Sequence, residues 1–150
     1  MTAAISTTKA SQAGPAPLDP QARIERIREG IPASTVSTLA KDMGISKDVL
    51  LSFLGLPRAT ISRKELNGGV LSKDESERVM GVQHLIALTR AMVEESGDPT
   101  GFDAARWLGQ WLMRPLPALG GETAASYMDT FTGQQLVAGL LATSQSGAYA

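Results

Sequence analysis

The residues best suited to chemistry in this sequence form a short basic run in its front half. The run PRATISRK spans residues 57–64 and contains three bases and no acid. Its polar side chains are Arg58, Thr60, Ser62, Arg63 and Lys64. Arginine and lysine pair with phosphates or with guanine, and short hydroxyls reach phosphates and base edges. On a helix that enters the major groove this set predicts DNA binding, although the run alone suits a solvated helix face equally well.

Other reactive groups are scarce. His84 is the single histidine and cysteine is absent, so the sequence offers neither a histidine pair for a metal nor a thiolate site. It also contains no glycine-rich phosphate loop, no Ser-His-Asp set and no paired-carboxylate signature. We therefore expect a protein that is not an enzyme and that uses no cofactor or metal.

Composition and charge narrow the setting. The chain has 150 residues, 43% hydrophobic and 19% charged, which predicts a globular protein, and its net charge is −1. A nucleic-acid surface would therefore have to be a local basic patch. No apolar run approaches the roughly 18 residues of a membrane span. Residues 1–20 are small and polar with Lys9 as their one base, which predicts a disordered arm rather than an export signal and favours the cytoplasm.

Glycines divide the front half into short helices that place the basic run on a helix-turn-helix. Helices are predicted at Lys47 to Leu54 and Arg58 to Leu66, joined by a turn that contains Gly55 and Pro57. The second of them would enter the groove. An earlier register pairs a helix at 35–43 with the one at 47–54, but its second helix carries one base against one acid, so the later register is preferred.

The other patterns of the front half extend the helical prediction. A helix is expected to begin near Pro20 and end at Gly30, and a long one at 73–96 is opened by Ser72 and Glu75, which have capping-box spacing. Gly97-Asp98-Pro99 closes it. We therefore predict an all-α fold with three parts, which are a disordered arm at 1–20, a helix-turn-helix domain at 21–97, and a small helical domain with a C-terminal tail at 98–150.

Helices are also predicted throughout the rear half. They are expected near 102–113 and 123–129, followed by one that Thr132 and Gln135 open with a second capping-box spacing. Trp107 and Trp111 share a face of the first. Large aromatic residues at helical spacing are more often core than interface, and we favour the core for both.

Two segments resemble a known family. The stretch LSFLGLPRATISRKELNGGVLSKDESERV, within about Ser46 to Ala91, resembles the helix-turn-helix of antitoxins in the Xre/MbcA/ParS group. Trp107-Leu108, the run PLPALGGETAASYMDT and the helix from Gly133 to Leu141 resemble the toxin-binding domain of that group. The rear pattern is the more specific of the two. One departure is Ala124, where many relatives have proline.

The resemblance implies the antitoxin of a type II toxin–antitoxin system. Such antitoxins bind and block a RES-domain toxin, an enzyme of ADP-ribosyltransferase-like fold that consumes NAD. They commonly form homodimers and bind their own promoter, alone or with the toxin. The expected partners are therefore a RES-domain toxin, promoter DNA and a second copy of the chain, with no membrane.

The C-terminal tail is the segment we expect to block the toxin. It consists of Ser146, Gly147, Ala148, Tyr149 and Ala150. A tyrosine offers a large flat surface with a polar tip, and small neighbours allow close backbone approach. The terminal carboxylate suits the bases that a cleft needs for the pyrophosphate of NAD. A frayed terminus is the alternative.

Two functions of other classes remain open. A transcription factor with a small-molecule sensor in its rear half would have an apolar cavity near the tryptophans. An adaptor would bind a protein other than a toxin through the same rear surface.

Overall fold

Helices of about two to seven turns form most of the part of the chain that the structure describes, residues 18–97 and 100–145 of a computed structural model. They are α1 Pro20–Glu29, α2 Thr35–Met43, α3 Lys47–Leu54, α4 Arg58–Leu66, α5 Lys73–Ser96, α6 Ala104–Leu112 and α7 Phe131–Gln145. Two 3₁₀ turns, Pro117–Leu119 and Ala124–Tyr127, lie between α6 and α7. Within these ranges β-structure is limited to two isolated bridges, so the predicted all-α class is confirmed.

Local chemistry sets the helix ends of the front half. Gly44 and Gly55 end α2 and α3 in the left-handed conformation, with φ of 70° and 68°. The Ser46 hydroxyl accepts from the Val49 amide, and Ser72 and Glu75 form the expected capping box at the start of α5. These groups satisfy backbone amides that would otherwise lack partners. The four front helices have the bounds that the apolar spacing predicts.

The rear half departs from prediction at the start of α7. The capping box of Thr132 and Gln135 is wrong, because the helix begins at Phe131 and the Thr130 hydroxyl accepts from the Gly133 amide. A Cβ at Gly133 would overlap the Tyr127 carbonyl oxygen, so glycine permits a tight entry that the spacing alone does not reveal. The helix expected at 123–129 is the shorter 3₁₀ turn Ala124–Tyr127.

One apolar core runs through both halves. The long helix α5 packs against α1, α6 and α7, with Val79, Val82 and Leu85 fully buried. Helix α2 packs directly on α6, where a Cβ at Gly109 would overlap the Met43 carbonyl oxygen. The core therefore crosses the sequence boundary placed at residues 97–99.

The tryptophans of α6 lie at the edge of this core. Their rings are stacked, with centroids 6.0 Å apart. Trp111 is 5% exposed, whereas Trp107 is only half-buried. The core position is thus confirmed for Trp111 and partial for Trp107. No helix among the described residues is long and apolar enough to cross a membrane.

Candidate nucleic-acid interface

Helices α3 and α4 form the expected pair of short helices around a tight turn. Leu54, Leu56 and Ile61 are buried between them and the core. Arg78 of α5 donates to the carbonyl oxygens of Leu54 and Gly55, each at 3.1 Å. This guanidinium satisfies carbonyls at the end of α3 that have no partner within the helix. Helix α5 therefore supports the turn between α3 and α4 through these two hydrogen bonds.

Of the five predicted DNA-binding residues, Arg58 and Arg63 are exposed on α4 and Thr60 is half-buried. Arg58 Nε lies 3.0 Å from Asp48 Oδ1, but both side chains are well exposed, and such surface pairs contribute little. No side chain caps the first turn of α4, because its N-cap residue is Pro57. The first turn of α4 thus has no side-chain cap, and amides and exposed guanidinium groups of this kind suit phosphate contacts.

The other two predicted residues face contacts within the protein. Lys64 Nζ lies 2.6 Å from Oε1 of Glu75, the carboxylate of the α5 capping box. The Ser62 hydroxyl accepts a 3.2 Å hydrogen bond from Lys47 Nζ. These side chains connect α4 to α5 and to α3, and their DNA-binding role stays a prediction.

The C-terminal end of α4 is connected to other helices by polar contacts of Glu65, which the sequence analysis did not predict. Glu65 Oε1 lies 2.6 Å from Lys47 Nζ, and Glu65 Oε2 accepts a 2.6 Å hydrogen bond from the Ser37 hydroxyl. The carboxylate therefore connects α4 to both α3 and α2. A single acid in an otherwise basic helix was the available signal, but its partners lie 18 and 28 residues away in sequence.

Two carboxylates of this region, the half-buried Glu65 and the buried Glu75, favour their charged forms. Burial by itself raises the pKa of Glu65, but hydrogen bonds from Lys47 and Ser37 and the Lys47 charge together lower it below its ordinary value. Burial likewise raises the pKa of Glu75, and its bonds with Lys64 and Ser72 outweigh that effect. Both carboxylates are therefore ionised at neutral pH and hold their lysines in place.

A side-chain amide joins α7 to α5 in the rear half. Gln134 is 5% exposed, and its Nε2 donates to the carbonyl oxygens of Arg78 and Met128 at 3.1 and 3.0 Å. It fits only because position 81 is glycine, since a Cβ there would overlap Gln134 Oε1. Arg78 also supports the turn between α3 and α4. This one residue therefore contacts both the front half and the rear half.

Apolar side chains remain exposed on the rear half. Met113 after α6, Phe131 at the start of α7 and Leu136 within α7 are 45–50% exposed. The tail predicted to block a toxin, residues 146–150, lies outside the described residues. The front half also exposes apolar side chains, including Leu66 at 88% and Val70 at 55%, so exposure alone does not identify a partner surface.

Comparisons with known proteins match both halves. The model of the antitoxin Xre-like helix-turn-helix domain matches residues 22–82, and that of the antitoxin Xre/MbcA/ParS C-terminal toxin-binding domain matches residues 100–147. A curated protein of Sphingobium sp. (strain YBL2), described as "Prs ADP-ribosylating antitoxin", is 42% identical over 131 residues. The match covers 87% of this chain and 82% of the relative.

The chain belongs to the Xre/MbcA/ParS antitoxin family. It is the antitoxin of a toxin–antitoxin system, with a helix-turn-helix domain and a toxin-binding domain, as the resemblance implied. Helices α3 and α4 fall within the first match, and α6 and α7 begin within the second. The C-terminal half of α5 lies between the two matches and packs against α6.

Proposed function

We propose that this antitoxin neutralises an NAD-consuming RES-domain toxin by binding it directly. The match of residues 100–147 to a toxin-binding domain carries the proposal. The description of the Sphingobium relative refers to ADP-ribosylation, a reaction in which NAD is the ADP-ribose donor, and this agrees with an NAD-consuming toxin. The antitoxin itself contributes binding and performs no reaction.

The tail is the proposed blocking element. Residues 146–150 follow α7, whose Val137 and Leu141 are buried in the core, so a rigid helix leads to the tail. The exposed Phe131 and Leu136 on the same helix provide apolar area for a toxin to cover. In this arrangement the helix sets the position of the tail, and Tyr149 enters the toxin's cleft as its anchor.

The front half is proposed to bind the promoter of its own operon in the cytoplasm. Arg58 and Arg63 are exposed on α4 and Thr60 is half-buried, and α4 is the helix that would enter the major groove. A homodimer would carry two such helices to two half-sites about one helical turn apart. Binding of toxin and of DNA would thus use opposite ends of one chain.

Co-expression with the product of the adjacent gene tests neutralisation. The antitoxin should copurify with that protein in a stable complex, and cellular NAD should fall only when the antitoxin is omitted. If no complex forms and NAD is unchanged, the RES-toxin proposal is wrong, and a regulator that binds another protein is favoured.

A chain that ends at Gln145 tests the tail separately. It should still copurify with the toxin through the rear helices but should fail to protect NAD at a one-to-one ratio. A matched chain with Tyr149→Ala separates loss of the aromatic anchor from loss of the whole tail. Full protection by the chain that ends at Gln145 would show that the tail is not the blocking element.

A further inference from the structure

A cavity of about 360 Å³ opens between α1, α2 and α5, on the front half of the molecule. Its floor is apolar and is formed by Ile31, Leu39, Met80, Ile86 and Ala87. The volume is within the range of small-molecule sites, which are typically about 300–1,000 Å³. Neither tryptophan lines it, so it is not the cavity that a sensor in the rear half would have.

The rim of this cavity is strongly basic. Arg23, Arg26 and Arg90 line it together with His84, and Asp42 is the one acid among the lining residues. Neither Arg26 nor Arg90 forms an ion pair with any residue that the structure describes. The rim therefore carries three guanidinium groups against one carboxylate.

Burial affects two of the basic groups of this rim, Arg23 and His84. Burial lowers the pKa of Arg23, and the charge of Glu77 offsets that effect only in part. Burial and the positive charge of Arg23 lower the pKa of His84, so the imidazole is neutral at pH 7 and can both donate and accept a hydrogen bond. Three guanidinium groups next to an apolar floor thus outnumber the two nearby acids, Asp42 and Glu77.

We propose that this cavity binds a small amphipathic anion, an apolar body that carries one carboxylate or phosphate. The planar guanidinium groups of Arg26 and Arg90 suit two parallel hydrogen bonds to such a group. The apolar body would cover Met80 and Ala87 on α5 and Leu39 on α2. Both a fatty carboxylate and a nucleoside monophosphate have this chemistry.

Other occupants fit the charge less well. Leu18 lines the cavity, but residues 1–17 contain Lys9 and no acid, so that segment would add positive charge to a positive rim. A two-fold contact centred on the cavity would bring the same arginines of two copies together. An anion supplies the missing charge without either repulsion.

Calorimetric titration of the full chain tests the proposal and distinguishes the two sources. Decanoate represents a carboxylate on a chain, adenosine monophosphate represents a phosphate on a flat base, and inorganic phosphate and 1-decanol each supply one half of the chemistry. We expect saturable one-site binding of decanoate or of the nucleotide, at least about tenfold tighter than binding of either half. No saturable binding of either amphipathic anion would overturn the proposal.

Matched arginine variants locate the site. Arg26→Gln combined with Arg90→Gln should weaken binding by about tenfold or more, since charge-assisted hydrogen bonds are lost. Arg28→Gln is the control, because Arg28 is an exposed base on the same helix that does not line the cavity. Equal effects of the two changes would overturn the proposal. So would an anion affinity that falls as the chain self-associates, because a second copy would then occupy the cavity.

Discussion

The basic side chains of α4 differ in their environments, although the sequence alone does not distinguish them. Arg58 and Arg63 are exposed and can move to meet phosphates, whereas Lys64 is held by Glu75 at 2.6 Å. The same carboxylate oxygen accepts from the Ser72 amide. Lys64 therefore connects α4 to α5. Substitutions of the neighbouring residues Arg63 and Lys64 should accordingly change different properties of the protein.

Arg63→Ala and Lys64→Ala should differ in what they change. Loss of Arg63 should reduce the slope of log affinity for promoter DNA against log salt by about one, because one phosphate contact releases one counterion fewer. Loss of Lys64 should instead lower the free energy of unfolding by about 1–3 kcal/mol, as expected when a partly buried carboxylate loses its partner. Salt-dependent DNA titration and urea unfolding measure the two effects. An unchanged salt slope in Arg63→Ala would remove Arg63 from the phosphate contacts.

The helices of the front half are connected by ion pairs and hydrogen bonds as well as by apolar packing. Glu65 connects α4 to α2 and α3, and Glu75 connects α4 to α5. Each carboxylate has a pKa below its ordinary value in the folded protein. These interactions make their full contribution to the free energy of unfolding above the pKa of an unfolded glutamate, about 4.3. That contribution is lost as the pH falls through the lower pKa values of the folded protein.

We therefore expect low pH to weaken the attachment of α4 to α2, α3 and α5. The contribution of these two carboxylates to the free energy of unfolding should be nearly constant from neutral pH to about pH 5 and should fall steeply below about pH 4, whereas His84, whose pKa is lowered in the folded protein, adds a separate loss of stability that begins near pH 6.5. Glu65→Gln combined with Glu75→Gln should be less stable at pH 7 and should show a shallower decline in acid. Glutamine at position 75 can still serve the capping box, so the comparison tests charge. Parallel acid profiles for the two proteins would contradict the assignment.

Close packing of Gln134 on Gly81 connects α7 to α5. Alanine usually stabilises a helix interior by about 1 kcal/mol relative to glycine. In Gly81→Ala the new Cβ would displace the Gln134 amide from its two carbonyl partners, so we expect a net loss of about 1–3 kcal/mol. Gly139→Ala on α7 is the control, because nothing lies within 4 Å of a Cβ there. Denaturant unfolding should show opposite signs, and a stabilised Gly81→Ala would disprove the contact.

The whole molecule behaves as one packing unit despite its two functional halves. Buried residues from Ile27 to Leu141 form a continuous cluster, and α2 and α3 of the front half contact α6 and the 3₁₀ turn Ala124–Tyr127 of the rear half. Arg78 contacts both the turn before α4 and Gln134. Neither half could bury its apolar face alone.

Unfolding of the full chain should accordingly be one cooperative transition. Trp107 and Trp111 both lie on α6, so their fluorescence reports the rear half, whereas far-ultraviolet circular dichroism reports all helices. The two midpoints should coincide, and a rear-half change such as Gly81→Ala should shift both together. Two separated midpoints would show that the halves unfold independently.

The amino-acid sequence alone determined the helices of the front half and the family. Left-handed glycines, the Ser72 and Glu75 capping box and the apolar spacing act within a few residues, so they predict where α1 to α5 begin and end. The basic run and the rear Gly-Gly pattern were sufficient to recognise an antitoxin.

Only the tertiary structure decided which side chains are free and which are held. Lys64 points to Glu75, Ser62 accepts from Lys47, and Gln134 lies on Gly81 through contacts between residues 11, 15 and 53 positions apart. The cavity at α1, α2 and α5 likewise arises from three helices that meet. Periodicity along one helix gives the faces of that helix, but which face another element covers depends on packing over the whole chain.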